Sequence, residues 1–553
     1  MNKKTFDVLE LGLILGIIIF LNIIAARYFF RVDLTADKHF SLSETSKELL
    51  PKLKQKVYVD VFLDGELTPD YERLKRAIKE KLDEFSIYSN GNVQYRFSNP
   101  NAIEDKNLKQ QYASQLLQKG IEYRYERIEN EGNVSEQLIF PSALISSGNK
   151  EIPVMFLKGN KTAPIAEQLN QSVEIVEYQL MAALRKLDHD ATQFIGFVEG
   201  HDELPAAEVA DISATLSDYY HVNRISLTEA SNIDKYGALV IARPLNAYTE
   251  QEKFILDQYV VKGGSLLLMV DPLNLNVDSL LNGYTYALPY ELNLNDLFFK
   301  WGIRCNTNIV QDVNSGLLQV ATGNKGQMQM VNWNFHPIIH SYGKQVMVKN
   351  LDAILSKYPA TIDTVKAGGI LKTPLMFTSP NTKVLEAPLK IDLNEARKNS
   401  DPKNFKQGVY TIAYLLEGRF QSLFKNRPSP LHNTAVVGIG KPARIVVCTD
   451  ADIIRNDIDK RTQRPIPLGF DAATQYQFSN KEFILNAIDY LMYQKILDIR
   501  NKEIALRPLD KLKVNEEKFQ WQITNLVIPP ILLLLFGIAR YYWRKRKFEN
   551  YKS

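Results

Sequence analysis

Apolar positions fall in three patterns along this chain. A long unbroken run lies near each end, and between them short apolar runs alternate with segments whose apolar residues recur every three or four positions. The run at 11–26 (LGLILGIIIFLNIIAA) carries no charge and has Asn22 as its one strongly polar residue. Extended to Tyr28 and Phe29, it reaches the ~20 residues that cross ~30 Å of hydrocarbon at 1.5 Å per residue. We assign 11–29 as a first transmembrane helix. Glu10 directly before the run, and bulky Ile24 at the −3 position of a cut after Ala26, speak against a cleavable signal.

The second run, 523–542 (ITNLVIPPILLLLFGIARYY), has Trp521 on one side and Tyr541, Tyr542 and Trp543 on the other, an aromatic belt at each water interface. Pro529 and Pro530 inside it remove two backbone donors, which predicts a kink whose freed carbonyls need a neighbouring helix or water. These two prolines are therefore candidate membrane-assembly residues. Arg544, Lys545, Arg546 and Lys547 follow at once and place the 543–553 tail on the cytoplasmic side. With two spans, residues 1–10 are also cytoplasmic and the body is exported, so the chain is expected in the cytoplasmic (inner) membrane with its bulk facing the periplasm.

The body reads as α/β. SLSETSKELL opens a short helix, with Ser41 and Glu44 spaced as a capping box. Val57, Val59, Val61 and Leu63 alternate as a half-buried strand. Thr68-Pro69 starts a helix that carries Tyr71, Leu74, Ile78, Leu82 and Phe85 on one face and stops at Asn90-Gly91. Val93, Tyr95 and Phe97 make the next strand, a β-α-β unit with parallel strands, in a first α/β domain over 31–158. A helix over 172–187 leads into a second unit, 172–281, with strands at 194–198, 238–242 and 265–270 and a capping box at Thr249 and Glu252. The same alternation returns over 442–500, with a strand at 444–449 and a helix opened by Ser479 and Glu482. Short apolar strands between helices predict a doubly wound parallel sheet. It is interrupted by an insertion over 282–441 with strands of its own, among them 345–348 and 409–416, and 501–522 is a juxtamembrane segment.

The 553 residues suffice for three or four folded units. The net charge of +4 resides in the tail, where residues 540–553 hold six basic side chains and one acid; the rest is near neutral, which argues against a nucleic-acid partner. Two cysteines, Cys305 and Cys448, exclude a disulfide framework and leave room for at most one bridge.

Four stretches carry a family resemblance. RVDLTADKHFSLSETSKELL follows the first anchor, then come IGFVEGHDELP, the run from ALVIARP through TEQEKFILDQYVVKGGSLLLMVDP, and RIVVCTDADIIRN with SNKEFILNAIDYLM. Taken in order and between two anchors, they resemble the gliding-motility-associated ABC transporter auxiliary (substrate-binding-like) family, GldG. The resemblance spans nearly the whole chain. It implies a glutamine-amidotransferase-like α/β sheet, a GldF-like permease and a GldA-like ATPase as partners, and association with envelope motility components.

Motifs for chemistry are sparse. No G-x-x-x-x-G-K-[S/T] phosphate loop occurs, and Gly438-Ile439-Gly440-Lys441 runs into Pro442, which lacks a donor a phosphate loop needs. No G-x-S-x-G elbow occurs either. An amidotransferase-like sheet could carry a Cys-His-Glu site, but Cys448 lies within the strand RIVVCT, where a cysteine usually serves as a small buried hydrophobe. Carboxylates directly after strands remain. Glu199 with His201 and Asp202, Asp271, and Asp450 with Asp452 would face the crevice outside the carboxyl ends of the strands. Such oxygens suit a hard cation or a polar ligand; the plainer assignment is that they cap helices and bind loop amides. No metal or cofactor is expected. The expected function is a non-catalytic extracytoplasmic auxiliary subunit of an ABC-type transporter complex required for gliding motility. The alternatives are a glycan- or small-ligand-binding receptor and a hydrolase acting on envelope material.

Overall fold

The computed structural model describes residues 12–17, 20, 41–130, 133–157, 164–187, 192–228, 232–322, 327–394, 402–431, 434–501 and 518–549. They divide into two compact units, one reaching Glu503 and one beginning at Ile504. Most of the first apolar run lies outside the described residues. Its described positions, 12–17 and 20, are helical and exposed.

In the first unit, helix α1 (Glu44–Leu49) starts from Ser43, whose hydroxyl accepts the Ser46 amide at 3.1 Å. The cap is therefore Ser43 and not Ser41. Glu177, from helix α3 (Ile165–Leu187), accepts the Ser43 amide and the Ser46 hydroxyl at 2.7 Å each, which ties this cap to a distant helix. Strand β1 (Val57–Val61), helix α2 (Pro69–Tyr88) and strand β2 (Val93–Phe97) form the expected parallel β-α-β unit, with Val57 opposite Val93. Strands β3 (Ser142–Ser147) and β4 (Lys150–Met155) extend the other edge antiparallel, giving the order β2-β1-β3-β4. Helix α3 begins seven residues before the expected 172, and Leu169, Val176, Leu180 and Leu184 pack into this domain's core.

The central sheet has eight strands. Five run parallel: β5 (Phe194–Glu199), β6 (His221–Ser226), β7 (Tyr236–Ala242), β8 (Ser265–Met269) and β11 (Ile439–Cys448). Strands β9 (Ile370–Phe377) and β10 (Thr411–Gln421), with the short Ser341–Tyr342 at the edge, join antiparallel. From that edge the order is β9-β10-β11-β8-β7-β5-β6. Strands from within 282–441 thus lie in the same sheet as those on either side of it. Helices cover both faces. Ile212 and Leu216 of α4 (Ala210–Ser217) and Phe483, Ala487 and Leu491 of α7 (Asn480–Leu491) pack on one face. Leu256 and Val260 of α5 (Glu250–Val261) and Leu297 and Trp301 of α6 (Asn295–Trp301) pack on the other.

Local signals explain most of these elements. The capping box at Thr249 and Glu252 is complete, and Gly263, at φ 106°, ends α5. At α7 the box is partial: Ser479 caps no amide, and its hydroxyl donates to Glu482 at 3.1 Å. The expected strand at 345–348 is a single 3-10 turn, Val346–Val348. All three residues are buried, Val346 in the N-terminal domain's core and Met347 and Val348 in the central one. A strand would have turned alternate side chains to opposite faces; a tight turn plugs two neighbouring cores at once. Both cysteines are free thiols.

The second unit is helix α8 (Lys518–Glu549). Its segment Gln522–Arg546 is apolar and long enough to cross a membrane, and it is the candidate span among the described residues. The helix continues through Pro529 and Pro530, which leaves the carbonyls four residues earlier, at Asn525 and Leu526, without their usual donors.

Candidate functional site

Strands β5, β7, β8 and β11 lie side by side and parallel, so their carboxyl ends deliver residues to one edge of the sheet. β6 lies on one side of β5 and β7 on the other, a point where strand order reverses and where open α/β sheets place ligands. Asp271 comes two residues after β8, Asp450 two residues after β11, and Arg243 directly after β7.

Asp450 is fully buried. One carboxylate oxygen accepts the Lys357 amide at 2.7 Å and the Ser356 hydroxyl, and the other accepts the Asp452 amide at 2.9 Å, capping the 3-10 turn Ala451–Ile454. Asp271 accepts the Ala451 amide at 2.7 Å, so the two strand ends are stitched through this turn. Burial and the nearby Asp452 push the Asp271 carboxyl up to about 7. Burial, with Asp452 and Asp271 beside it, pushes Asp450 well above the usual carboxylate range.

The basic residues around them come from elsewhere in the chain. Arg243 approaches Asp271 at 3.5 Å, Arg455 lies 3.3 Å from Asp452 and 2.6 Å from Glu208, and Lys357 lies 3.1 Å from Asp457. Arg243, Asp271, Lys357, Tyr358, Asp452 and Arg455 line a cavity of about 30 Å³, with Leu273 and Ile309 as its apolar wall. That volume admits a few water-sized groups.

Glu199 and His201 are not part of this cluster. Glu199 pairs with Arg224 of β6 at 2.7 Å. His201 is buried with its ring stacked on Tyr248, centroids 3.6 Å apart. Its Nδ1 lies 3.3 Å from Glu203 and its Nε2 3.2 Å from Glu252. Two carboxylate neighbours favour the imidazolium form, in which both ring nitrogens donate. Burial alone would lower its pKa, but hydrogen bonds to Glu203 and Glu252 raise it on balance. Glu252 accepts the Thr249 amide at 2.9 Å as well, so His201 locks the loop after β5 to the start of α5.

Asp271, Asp450 and Asp452 are therefore brought together, whereas Glu199 and His201 hold loops. Among the described residues, no group of three or more His, Cys, Asp and Glu side chains is arranged to hold a metal ion. Cys448 is fully buried, its sulfur 3.7 Å from the Asp450 carbonyl, and burial pushes its thiol well up. Arg243, Lys357, Arg455, Glu203 and Tyr248 join these groups from outside the set of candidate residues. Arg243 directly follows the run ALVIA and was open to the strand-end argument; Lys357 enters from a loop nearly a hundred residues from Asp450, and no local pattern marks it.

Residues 192–487, more than half of the chain and all eight strands of the central sheet, match the family model described as an ABC-type uncharacterized transport system, an auxiliary family. The chain belongs to this family. Members are auxiliary components of ABC-type transport systems, and the site described above lies within the matched region. Residues 36–146, the N-terminal β-α-β domain, match a domain of unknown function. An uncharacterized protein of Borreliella burgdorferi is 24% identical over 573 residues, which cover 99% of this chain and 100% of that relative. Among solved structures, the mmIFT52 N-terminal domain aligns with 54% of this chain and 97% of its own at 12% identity; at a TM-score of 0.31 it carries no structural argument.

Proposed function

We propose that this protein is a non-catalytic, membrane-anchored auxiliary subunit of an ABC-type transporter, with its body on the periplasmic side and docked on a permease and, through it, an ATPase. The observation that carries this reading is the family match over 192–487 joined to the apolar helix 522–546 and its basic end. The basic residues favour a cytoplasmic tail, and the transporter partners would be met in the same membrane. Helices on both faces and five parallel strands support a doubly wound sheet for the body. A role in gliding motility, with GldF-like and GldA-like partners, rests on the resemblance of the four quoted stretches.

In this reading α8 is an assembly helix as well as a tether, because a partner helix would answer the carbonyls left by Pro529 and Pro530. Replacing both prolines with Leu keeps the span apolar and restores regular helical bonding. Membrane insertion should persist while the amount of permease recovered with the protein falls. Unchanged recovery in the double variant, with insertion verified by carbonate extraction, would refute the assembly role. A reporter fused after Ser553 should be cytoplasmic, and an exported tail would refute the orientation.

A further inference from the structure

The cavity at the carboxyl ends of β7, β8 and β11 has a charge balance that its carboxylates alone do not suggest. Its lining holds three cations, Arg243, Lys357 and Arg455, against two carboxylates, Asp271 and Asp452. Lys357 is engaged by Asp457, and Arg455 by Glu208 and Asp452. Arg243 is engaged far less. Its side chain is only 21% exposed, yet among the described residues its guanidinium has one ion-pair contact, the 3.5 Å approach of Nε to Asp271 Oδ2. That is long for a hydrogen bond, so most of the guanidinium's five N–H donors have no protein partner among the described residues and are open to what enters the cavity.

The backbone points the same way. Arg243 (φ 55°) and Tyr358 (φ 54°), both lining this cavity, hold the left-handed conformation that bulky residues rarely adopt. Such conformations persist where the surrounding structure enforces them, and they concentrate at ligand sites.

We propose that this cavity binds a carboxylate group, with Arg243 as its bidentate clamp. A planar guanidinium fork matches the two oxygens of a carboxylate. A carboxylate, as a monoanion, is opposed less by Asp271 and Asp452 in the lining than a phosphate dianion is. The carboxylate belongs either to a small organic acid or to the C-terminus of a peptide chain. The inference concerns this cavity and does not depend on the transporter reading.

The test uses the full chain in lipid nanodiscs and ligand-observed NMR titration, with acetate as the probe and chloride at equal ionic strength as the control. Acetate should bind saturably. Arg243→Gln should weaken it by about 10- to 100-fold, the loss expected for hydrogen bonds to a charged group, and Arg243→Lys should recover only part. Asp271→Asn removes the negative charge that faces Arg243 and should tighten binding. A tripeptide that binds better than acetate, and loses binding when its C-terminus is amidated, would identify a chain end as the source; equal binding of acetate would identify a small acid. No saturable binding to the wild-type chain would overturn the proposal. So would full binding by Arg243→Gln with an unchanged circular dichroism spectrum, or calcium binding that Asp271→Asn abolishes.

Discussion

Arg185 of α3 reaches across to Asp489 of α7 and joins the N-terminal domain's long helix to the central sheet. Its Nη1 lies 3.0 Å from Asp489 Oδ1, its Nη2 donates to the Tyr220 hydroxyl at 2.8 Å, and Tyr220 in turn donates to Asp489. The guanidinium also lies 4.6 Å from the centre of the Tyr219 ring. Arg185 is 20% exposed and Asp489 4%. At an effective dielectric of about 20, attraction over 3 Å is worth about 5 kcal/mol, before the cost of removing both charges from water. Arg185→Met leaves the Asp489 carboxylate buried without its cation. Removing one partner of such a pair typically costs about 3–5 kcal/mol, and that is the expected loss at pH 7. Burial already lifts the Asp489 carboxyl above its ordinary value, against the pull of Arg185 and Tyr220. Without Arg185 it rises further, so the deficit should shrink as pH falls and the uncompensated charge is protonated. Urea unfolding of the full chain in detergent, followed by near-ultraviolet circular dichroism, measures this. Arg185→Met with Asp489→Leu replaces both charges and should be less destabilised than Arg185→Met alone. A single variant that loses under about 1 kcal/mol, well below the buried-pair range, would refute the reasoning. So would a double variant as unstable as the single.

His201 makes stability pH-dependent in the opposite range. Its raised folded pKa means that its contribution is fully present below the unfolded value, near 6.5, and is lost as pH rises through the folded one. Unfolding midpoints from pH 6 to 8.5 should therefore fall more steeply for the wild type than for His201→Gln; Asp271 contributes with the same sign but is common to both proteins. Gly440 lies where a Cβ would stand 2.0 Å from the Val261 carbonyl oxygen at the end of α5. Gly440→Ala should destabilise by about 1–3 kcal/mol, as overpacking does, whereas Gly368→Ala, with nothing within 4 Å of its Cβ, should stay within about 0.5 kcal/mol. Thermal melts of the two variants side by side check this.

The glycine shows why some of the fold was legible and some was not. Gly438-Ile439-Gly440-Lys441 could be rejected as a phosphate loop from Pro442 alone, but that Gly440 is needed for the approach of β11 to α5 is a tertiary fact. Elements with period-2 or period-3.6 patterning, such as β1 and α2, and elements with a complete capping box, such as α5, are readable because local hydrophobicity and capping agree with the packing. Val346, Met347 and Val348 misled because three consecutive buried apolar residues look like a strand when they fill two cores from a single turn. Asp271, Asp450 and Asp452 were found by one rule, that strand ends converge. The cations that change the meaning of those carboxylates were not, since Lys357 and Arg455 reach the cavity from loops with no periodic signature.

The central claim is that this chain works as part of an ABC-type transporter, and its most direct measurement is the composition of the complex isolated from native membranes. The full chain, tagged after Ser553 and expressed from its own locus, should be purified in mild detergent and its partners quantified by mass spectrometry. The account predicts an ABC permease and an ABC ATPase in fixed ratio to this protein, retained through size-exclusion chromatography. Recovery of the chain alone, or with only proteins unrelated to ATP-driven transport, would contradict it.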